Sequence, residues 1–253
     1  MSFEAQTELV RVRFWGVRGS IPTPGPSTVR YGGNTSCVTL EVPGHDLFIF
    51  DAGSGIRELG LALLREKRLP LSARLLLTHT HWDHIQGFPF FTPAFIPGNT
   101  ITVYGAPEGE GGVAGALSGQ MVHRYFPISL DQLGATLAFQ HAAAGRHEID
   151  GLHVTTAPLI HSSVCLGYRV EGGGYVVTYL TDAEPRRVDG QIVFDPGMLS
   201  LASGSDVLIH DAQYTDAEYP AKIGWGHCPI GYVVDLALEA RARKLVLFHH
   251  DPT

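Results

Sequence analysis

The chain has 253 residues, 44% of them hydrophobic, and a formal net charge of −7 at pH 7. This composition can supply a large core, and the acidic balance argues against a dedicated nucleic-acid-binding protein, which normally carries a basic field. Three widely spaced cysteines, no signal-peptide pattern and no apolar run near the roughly 18 residues of a membrane span predict a cytoplasmic protein with reduced thiols and no membrane association.

Short strand-like runs recur along the whole chain, and helical patterns are fewer. The predicted strands are residues 9–15, 37–42, 47–50, 74–77, 101–104, 152–157, 164–170, 175–180, 207–209 and 244–248. Residues 55–67 and 230–242 carry apolar side chains at helical spacing. Because strands outnumber helices and both recur throughout, we expect an α/β sandwich of two sheets with helices outside.

Two stretches interrupt this pattern. Residues 21–30 contain Pro22, Pro24 and Pro26, which predicts a loop. Residues 105–119 are rich in glycine and contain no Lys or Arg, which predicts a mobile loop insertion. Two interpretations of this insertion remain open: a lid near the mouth of a site, or an exposed connection without a role.

Residues 78–84, Thr-His-Thr-His-Trp-Asp-His, are the most informative part of the sequence. They place three imidazoles and one carboxylate within six consecutive positions, directly after the apolar run 75–77. Neutral imidazole suits zinc, iron and manganese, and a carboxylate adds charge compensation. Because four such groups exceed what one open catalytic ion usually takes from a short segment, the motif favours two ions.

The motif resembles the metal-binding signature of the metallo-β-lactamase superfamily. Residues 14–20, 31–36 and 50–53 resemble the branch of that superfamily containing ribonuclease Z and the phosphoribosyl cyclic phosphodiesterases. The resemblance covers nearly the whole chain. It implies the αββα fold, in which two mixed sheets are flanked by helices, formed by one domain over residues 1–253.

The resemblance also implies a set of metal ligands that lie at or just beyond strand ends. They are His79, His81, Asp83, His84, His161, Asp182 and His249. His79, His81 and His161 would hold one ion, the remaining groups would hold the second, and Asp182 would bridge the two. Asp83 would also orient the bridging hydroxide or accept its proton. The expected cofactors are two divalent ions, zinc first, with manganese or iron as alternatives.

The last ligand is ambiguous, because His249 and His250 both follow the strand at 244–248. Side chains alternate along an extended strand, so only one of the two can face the ions. Related sequences place the ligand two positions after the last aliphatic residue, which favours His249. His250 is the alternative, or a residue that supports the ligands.

Two further residues are candidates for catalysis. Asp211 and His227 lie in segments that resemble ribonuclease Z, and a His held by a carboxylate beside two ions can protonate a leaving alkoxide or bind a phosphate oxygen. The alternative is a His–Asp pair that only fixes a loop.

Four residues of the N-terminal half could assist the site. Asn34, Ser36 and Asp51 could support the ligands, although ordinary turn chemistry explains them nearly as well. Arg18 is a further candidate for a phosphate contact.

These observations favour a dimetal hydrolase, specifically a phosphodiesterase that acts on a small cyclic or compact phosphodiester through a metal-bridging hydroxide. The first alternative is transfer-RNA 3′ processing, which the acidic charge and the absence of Lys and Arg from residues 105–119 oppose. The second is a metal-binding sensor without turnover. The expected partner is a small phosphodiester, and a homodimer remains open.

Overall fold

Two six-stranded sheets form the centre of the computed structural model, which describes residues 9–107 and 109–253. The first sheet runs in chain order: β1 (Arg11–Gly16), β2 (Cys37–Glu41), β3 (Leu47–Phe50), β4 (Ser72–Leu76), β5 (Thr100–Gly105) and β6 (Thr136–His141). Its first three strands are antiparallel, and β3 to β6 are parallel.

The second sheet has the order β14-β13-β10-β9-β8-β7. Its strands are β7 (Gly145–Ile149), β8 (Leu152–Leu159), β9 (Cys165–Gly172), β10 (Tyr175–Leu180), β13 (Val207–Asp211) and β14 (Leu245–Phe248). Strands β10, β13 and β14 are parallel, and β7 to β10 are antiparallel. A separate hairpin is formed by β11 (Arg186–Val188) and β12 (Gln191–Val193).

The described α-helices are α1 (Gly55–Arg65), α2 (Trp82–Ile85), α3 (Gly112–Gln120), α4 (Pro196–Ala202) and α5 (Ile230–Glu239). All but the short α2 cover the outer face of a sheet. α1 and α3 pack on the first sheet, and α4 and α5 pack on the second. The predicted αββα sandwich is therefore confirmed. None of the helices in the described ranges is long and apolar enough to cross a membrane.

The alternation of side chains along β3 explains why the sandwich has apolar layers on both sides of a sheet. Leu47 and Ile49 point toward the helices, whereas Phe48 and Phe50 point toward the second sheet. A parallel strand covered on both faces needs such a continuous apolar run. Phe50 packs against Tyr179 of the opposite sheet, with ring centroids 5.1 Å apart.

The glycine-rich stretch differs from its prediction. Residues 112–120 form helix α3, so the prediction of a loop was wrong for that part. Val113 and Leu117, one helical turn apart, are buried in the core beneath the first sheet. Burial of this short apolar face outweighs the low helix propensity of glycine. Residue 108, within the same stretch, lies outside the described residues.

Other elements were predicted or missed for identifiable reasons. Residues 21–30 form no strand, and contain only a short 3₁₀ turn at Pro26–Thr28, so the loop prediction is confirmed. Helix α4 was missed although Asp195 caps it by accepting hydrogen bonds from the Gly197 and Met198 amides. Strands β6, β7, β11 and β12 were also missed.

The strand directions decide where polar side chains can meet. The carboxyl ends of β3 and β4 in the first sheet lie at the same edge of the sandwich as those of β8, β10, β13 and β14 in the second. The segments that follow these ends contain every residue predicted to bind metal.

Candidate metal centre

The structure brings the seven predicted ligands together in two adjoining groups. The first consists of His79, His81 and His161; the second consists of Asp83, His84, Asp182 and His249. Within each group, one nitrogen or oxygen per residue lies within 4.8 Å of every other. Both groups are suited to holding a divalent cation, because imidazole and carboxylate are the usual ligands of zinc, manganese and iron.

Asp182 lies between the two groups. Its Oδ1 is 3.8 Å from the Nε2 atoms of both His79 and His161. Its Oδ2 is 3.1 Å from Nε2 of His84 and 3.3 Å from Nε2 of His249. Each oxygen therefore faces a different group, which is the arrangement that a bridging carboxylate requires.

The chain turns sharply at three of the strand ends that build this site. Asp51 and His249 directly follow β3 and β14, Asp182 lies two residues after the end of β10, and the three have φ angles of 59°, 56° and 56°. Residues other than glycine rarely adopt this left-handed conformation, and such strain is frequent at functional sites. The turn aims each side chain across the edge of the sandwich instead of along the strand.

The ambiguity between the last two histidines has a geometric answer. Nε2 of His249 lies 3.1 Å from Oδ2 of Asp83, whereas His250 packs beside Tyr31, with ring centroids 6.2 Å apart. The expected reason, alternation along an extended strand, does not apply because β14 ends at Phe248 and His249 is left-handed. The structure thus places His249 among the donor atoms.

Burial keeps two imidazoles of the first group neutral. Burial lowers the pKa of His79 well below its ordinary value, and the neighbouring histidines lower it further against the opposing effect of Asp182. Burial likewise lowers the pKa of His161. Neutral imidazole is the form that binds a metal ion, so these side chains need not lose a proton to do so.

The second group contains concentrated negative charge. Burial opposes ionisation of both Asp83 and Asp182, yet their histidine neighbours hold the pKa of each carboxyl below its usual range. Burial would lower the pKa of His84, but Asp182, Asp83 and Asp51 raise it well above its ordinary value. A proton on His84 therefore supplies the positive charge that a bound cation would otherwise supply.

One buried nitrogen supports the fit of a metal ion directly. Among the described residues, Nε2 of His79 has no hydrogen-bond partner, although it is fully enclosed. Its Nδ1 lies 3.1 Å from Oγ1 of Thr78, so Nε2, which faces Asp182, is the ring nitrogen that remains free to bind a cation. An unpaired buried nitrogen is costly unless a ligand satisfies it, so the residues present fit a cation at this position.

Asp51 supports the ligands from beneath. Its carboxylate accepts hydrogen bonds from the backbone N–H and the hydroxyl of Thr78, from Nδ1 of His84 and from the hydroxyl of Tyr179. These bonds leave Nε2 of His84 directed at Asp182 and Asp83. Such contacts fix the orientation and tautomer of a ligating histidine.

His161 is oriented by a different set of contacts, which was not predicted from the sequence. Its Nδ1 donates to the carbonyl of Gly226 at 3.0 Å. Glu184, buried two residues after Asp182, accepts hydrogen bonds from the amides of Gly224 and Gly226 at 2.6 and 2.9 Å. The proximity of Glu184 to Asp182 in the sequence was the available signal.

The two proposed catalytic residues beyond the ligands form a buried pair. Nδ1 of His227 donates to Oδ2 of Asp211 at 2.6 Å. Burial lowers the pKa of His227, but Asp211 outweighs it and the pKa is raised to about 9. The ring of His227 stacks on that of His249, with centroids 5.0 Å apart, so this pair adjoins the second group.

Two of the three remaining support candidates, Asn34 and Arg18, make side-chain hydrogen bonds. Asn34 accepts a hydrogen bond from Ser54, whereas the Ser36 hydroxyl has no partner among the described residues. The guanidinium of Arg18 donates to the carbonyls of Gly32 and Asp251 at 3.1 and 3.5 Å, which ties two loops together near His250. The backbone amide of Ser20 donates to Oδ2 of Asp83 at 2.7 Å, a contact that the sequence did not suggest.

Known proteins resemble this chain over most of its length. A family model described as the beta-lactamase superfamily domain matches residues 47–250. Ribonuclease Z of Synechococcus sp. (strain CC9311) is 26% identical in an alignment of 288 positions, which covers 96% of this chain and 88% of that protein.

Two solved structures share the fold. A diphosphatase of the PhnP family superposes with a TM-score of 0.69 at 20% identity, covering 95% of this chain and 87% of that one. The short form of human tRNase Z superposes with a TM-score of 0.68 at 20% identity, covering 95% of this chain and 92% of that one.

Proposed function

This chain belongs to the beta-lactamase superfamily, and we propose that within it the protein is a dimetal phosphodiesterase that hydrolyses a small cyclic or compact phosphodiester. The observation that carries the proposal is the position of Asp182 between two complete groups of donor atoms, with the His227–Asp211 pair beside them. Zinc is the first candidate for the ions, because the donors are mainly imidazole.

Each residue has a role in this proposal. His79, His81 and His161 would hold one ion, and Asp83, His84 and His249 would hold the second. Asp182 has one carboxylate oxygen facing each group of donors. Two divalent ions bound there would supply an ionised water at neutral pH and neutralise charge on the attacked phosphate.

The protein's own acid–base groups complete the proposal. Asp83 accepts a hydrogen bond from the Ser20 amide and is kept ionised by its histidine neighbours, so its carboxylate is held in position to orient the attacking water. In the metal-free protein, Asp211 outweighs the effect of burial and raises the pKa of His227 to about 9. A protonated His227 can donate a proton from Nε2 to a leaving alkoxide, while Asp211 holds Nδ1.

The size of the substrate is inferred from the surface around the site. Helix α3 packs its apolar side chains against the first sheet, so it does not form a projecting arm for a long polyanion. The net charge of −7 also disfavours a broad phosphate-binding surface. A small phosphodiester needs only the ions and a few neighbouring side chains.

Cleavage of transfer-RNA precursors is the second candidate. The curated relative named ribonuclease Z, which aligns over 96% of this chain, favours it. The exposed hairpin that follows Asp182 also carries Arg186 and Arg187, which could contact a nucleic-acid backbone. We rank this candidate second because two exposed arginines would neutralise few phosphates.

The decisive experiment measures metal content and substrate range together. Protein loaded with zinc or manganese should contain two ions per chain and hydrolyse bis-p-nitrophenyl phosphate or cyclic nucleotides, while precursor transfer RNA stays intact. Efficient removal of a 3′ trailer at physiological salt would reverse the ranking. Retention of two ions without turnover of any phosphodiester would favour a metal-binding sensor.

The cellular location proposed is the cytoplasm. The three cysteines, Cys37, Cys165 and Cys228, are all unpaired and buried, which supports a protein that works under reducing conditions.

A further inference from the structure

The imidazole of His249 can bind the second ion in only one of its two ring orientations. It lies nearly parallel to the rings of His84 and His227, with centroids 5.3 and 5.0 Å away. Such packing fixes the plane of a ring but permits a half-turn about the Cβ–Cγ bond, because the last torsion angle of histidine has two broad minima. That half-turn would replace Nε2, which faces Asp83 and Asp182, by a carbon atom.

Gln213 makes the contact that distinguishes the two orientations. Its Oε1 lies 2.9 Å from Nδ1 of His249, and the side chain is buried. With Nε2 directed at Asp83, the amide oxygen accepts a hydrogen bond from the Nδ1–H group. After a half-turn the same oxygen would face a carbon atom and lose its partner, which is costly for a buried acceptor. A proton on Nδ1 also leaves Nε2 unprotonated, the form that binds a metal ion.

The amide of Gln213 is itself held in place. The amide of the preceding Ala212 donates to the carbonyl of Phe248 at 3.0 Å, which places the next residue beside His249. At the far side of the side chain, Nε2 of Gln213 donates to the hydroxyl of Tyr214 at 3.3 Å. With its nitrogen engaged there, the amide presents its oxygen to the imidazole.

The backbone of Gly19 covers this hydrogen bond. A Cβ at that position would lie 2.5 Å from Nδ1 of His249 and 3.0 Å from Oε1 of Gln213. The amide of Gly19 donates to the carbonyl of His250 at 3.0 Å, so the covering segment is fastened to the chain that carries the ligand. This close packing leaves no room on that side for a water molecule to replace the amide oxygen.

Two other ligands have partners of a different kind. Nδ1 of His84 is held by the carboxylate of Asp51, and Nδ1 of His161 is held by a backbone carbonyl. His249 depends on a neutral side chain. We propose that Gln213 is a positioning residue that holds the His249 ring in the orientation and tautomer that the second ion requires. The inference rests on the dimetal site of the proposed function and adds a residue that controls occupancy of the second position.

The test measures the affinity of each ion in the absence of substrate. Gln213→Met keeps the length of the side chain but has no amide oxygen, so affinity for the second ion should fall about 10–100-fold, the range found for groups that support a metal ligand. The affinity of the first ion should change by less than about threefold, because its other ligands are untouched. Gln213→Glu again offers an oxygen to Nδ1 and should restore tight binding. Cobalt(II) absorption during the titration shows whether the second ion loses a histidine ligand.

Two controls separate positioning from a general loss of stability. Gln120 has the same 8% exposure as Gln213, and its amide donates to the backbone carbonyl of Ile85 at 3.0 Å. Gln120→Met therefore removes a comparable buried hydrogen bond that involves no ligand side chain, and both affinities should be retained. In a His249→Ala background, Gln213→Met should have no further effect on the second ion, because the ring that it orients is absent.

Failure of this inference and failure of the proposed function give different results. Unchanged affinity in Gln213→Met would overturn the role of this residue, as would an equal loss in Gln120→Met or a further loss in the His249→Ala background. Two bound ions without turnover of any phosphodiester would contradict the proposed function. The expected pattern of affinities would still confirm the role of Gln213 in that case, since no substrate enters the measurement.

Discussion

Oδ2 of Asp51 accepts a hydrogen bond from Nδ1 of His84 at 2.8 Å, and neither side chain is exposed to solvent. The other oxygen of Asp51 accepts from the amide and the hydroxyl of Thr78, the residue before His79. One carboxylate therefore orients members of both metal-binding groups. An asparagine at position 51 could accept hydrogen bonds through one side-chain atom only, because its NH₂ group would face another N–H or O–H donor.

We accordingly expect Asp51→Asn to weaken metal binding by roughly 10–100-fold, the range found for groups that support metal ligands. Competition with a chromophoric chelator measures the affinity. Asp46→Asn is the matched control, because Asp46 pairs with Arg74 at 2.8 Å just before β3 begins. Unchanged affinity in Asp51→Asn would show that the hydrogen bonds do not determine ligand orientation.

Substitution of Asp182 should have a more severe effect than substitution of His227. Asp182→Ala removes the group that faces both sets of donors, so metal content and turnover should fall together. His227→Ala should retain both ions and lose roughly 10²–10⁴-fold in turnover on a substrate with a poor leaving group. Elemental analysis and steady-state kinetics provide the two measurements.

The leaving group provides the internal control for that comparison. p-Nitrophenolate leaves as an anion without needing a proton, so His227→Ala should hydrolyse a p-nitrophenyl phosphodiester at nearly the wild-type rate. If the variant cleaved an alkyl diester as fast as the wild type, His227 would have no role as a general acid.

Two glycines on one loop offer a matched test of the support for His161. Gly226 and Gly224 have φ angles of 86° and 87°, so alanine is strained to a similar degree at both. A Cβ at Gly226 would lie 2.3 Å from Nδ1 of His161, whereas a Cβ at Gly224 has no atom within 4 Å. Each substitution should cost about 1–2 kcal/mol of stability, but only Gly226→Ala should weaken binding of the first ion. Similar metal affinities in the two variants would contradict this role for Gly226.

Stability of the metal-free protein should depend on His227. Its pKa is raised from an ordinary value of 6.5 to about 9, so the folded state binds the proton more tightly than the unfolded state. The pair with Asp211 therefore stabilises fully below pH 6.5, and this contribution is lost as pH rises through about 9. The shift sets an upper bound of about 3 kcal/mol on the change in free energy of unfolding.

Urea denaturation of chelator-treated protein across this window measures the effect. His227→Gln should flatten the decline between pH 6.5 and about 9. His153→Gln, at an exposed position on β8, should keep the wild-type profile. An unchanged decline in His227→Gln would assign the pH dependence to other groups.

The role of a residue in the site could be predicted where the local sequence indicates it. It could not be predicted where only tertiary contacts define it. The motif at 78–84 predicts metal binding by itself, because three imidazoles and a carboxylate follow directly after an apolar strand. His161, Asp182 and His249 could be named through the family resemblance, since each follows a strand-like run. The sandwich could be predicted because continuous apolar runs such as 47–50 require cover on both faces.

Supporting residues gave no comparable signal. Glu184 and Gln213 are ordinary polar residues until the fold places them against Gly226 and Nδ1 of His249. Helix α3 was missed because six of the residues from 105 to 119 are glycine, and local propensity alone does not reveal that Val113 and Leu117 meet a sheet. Tertiary burial decides such segments.

The donors to each ion come from both sheets. His79 and His81 follow β4 of the first sheet, whereas His161 and Asp182 follow β8 and β10 of the second. A bound ion would act as a cross-link between the two halves of the sandwich, and unfolding would require its release. Ions that bind only the folded state raise its stability in proportion to the logarithm of their free concentration. The lifetime of this protein against proteases would then follow the supply of free metal in its surroundings, so starvation for metal would reduce its abundance as well as its activity.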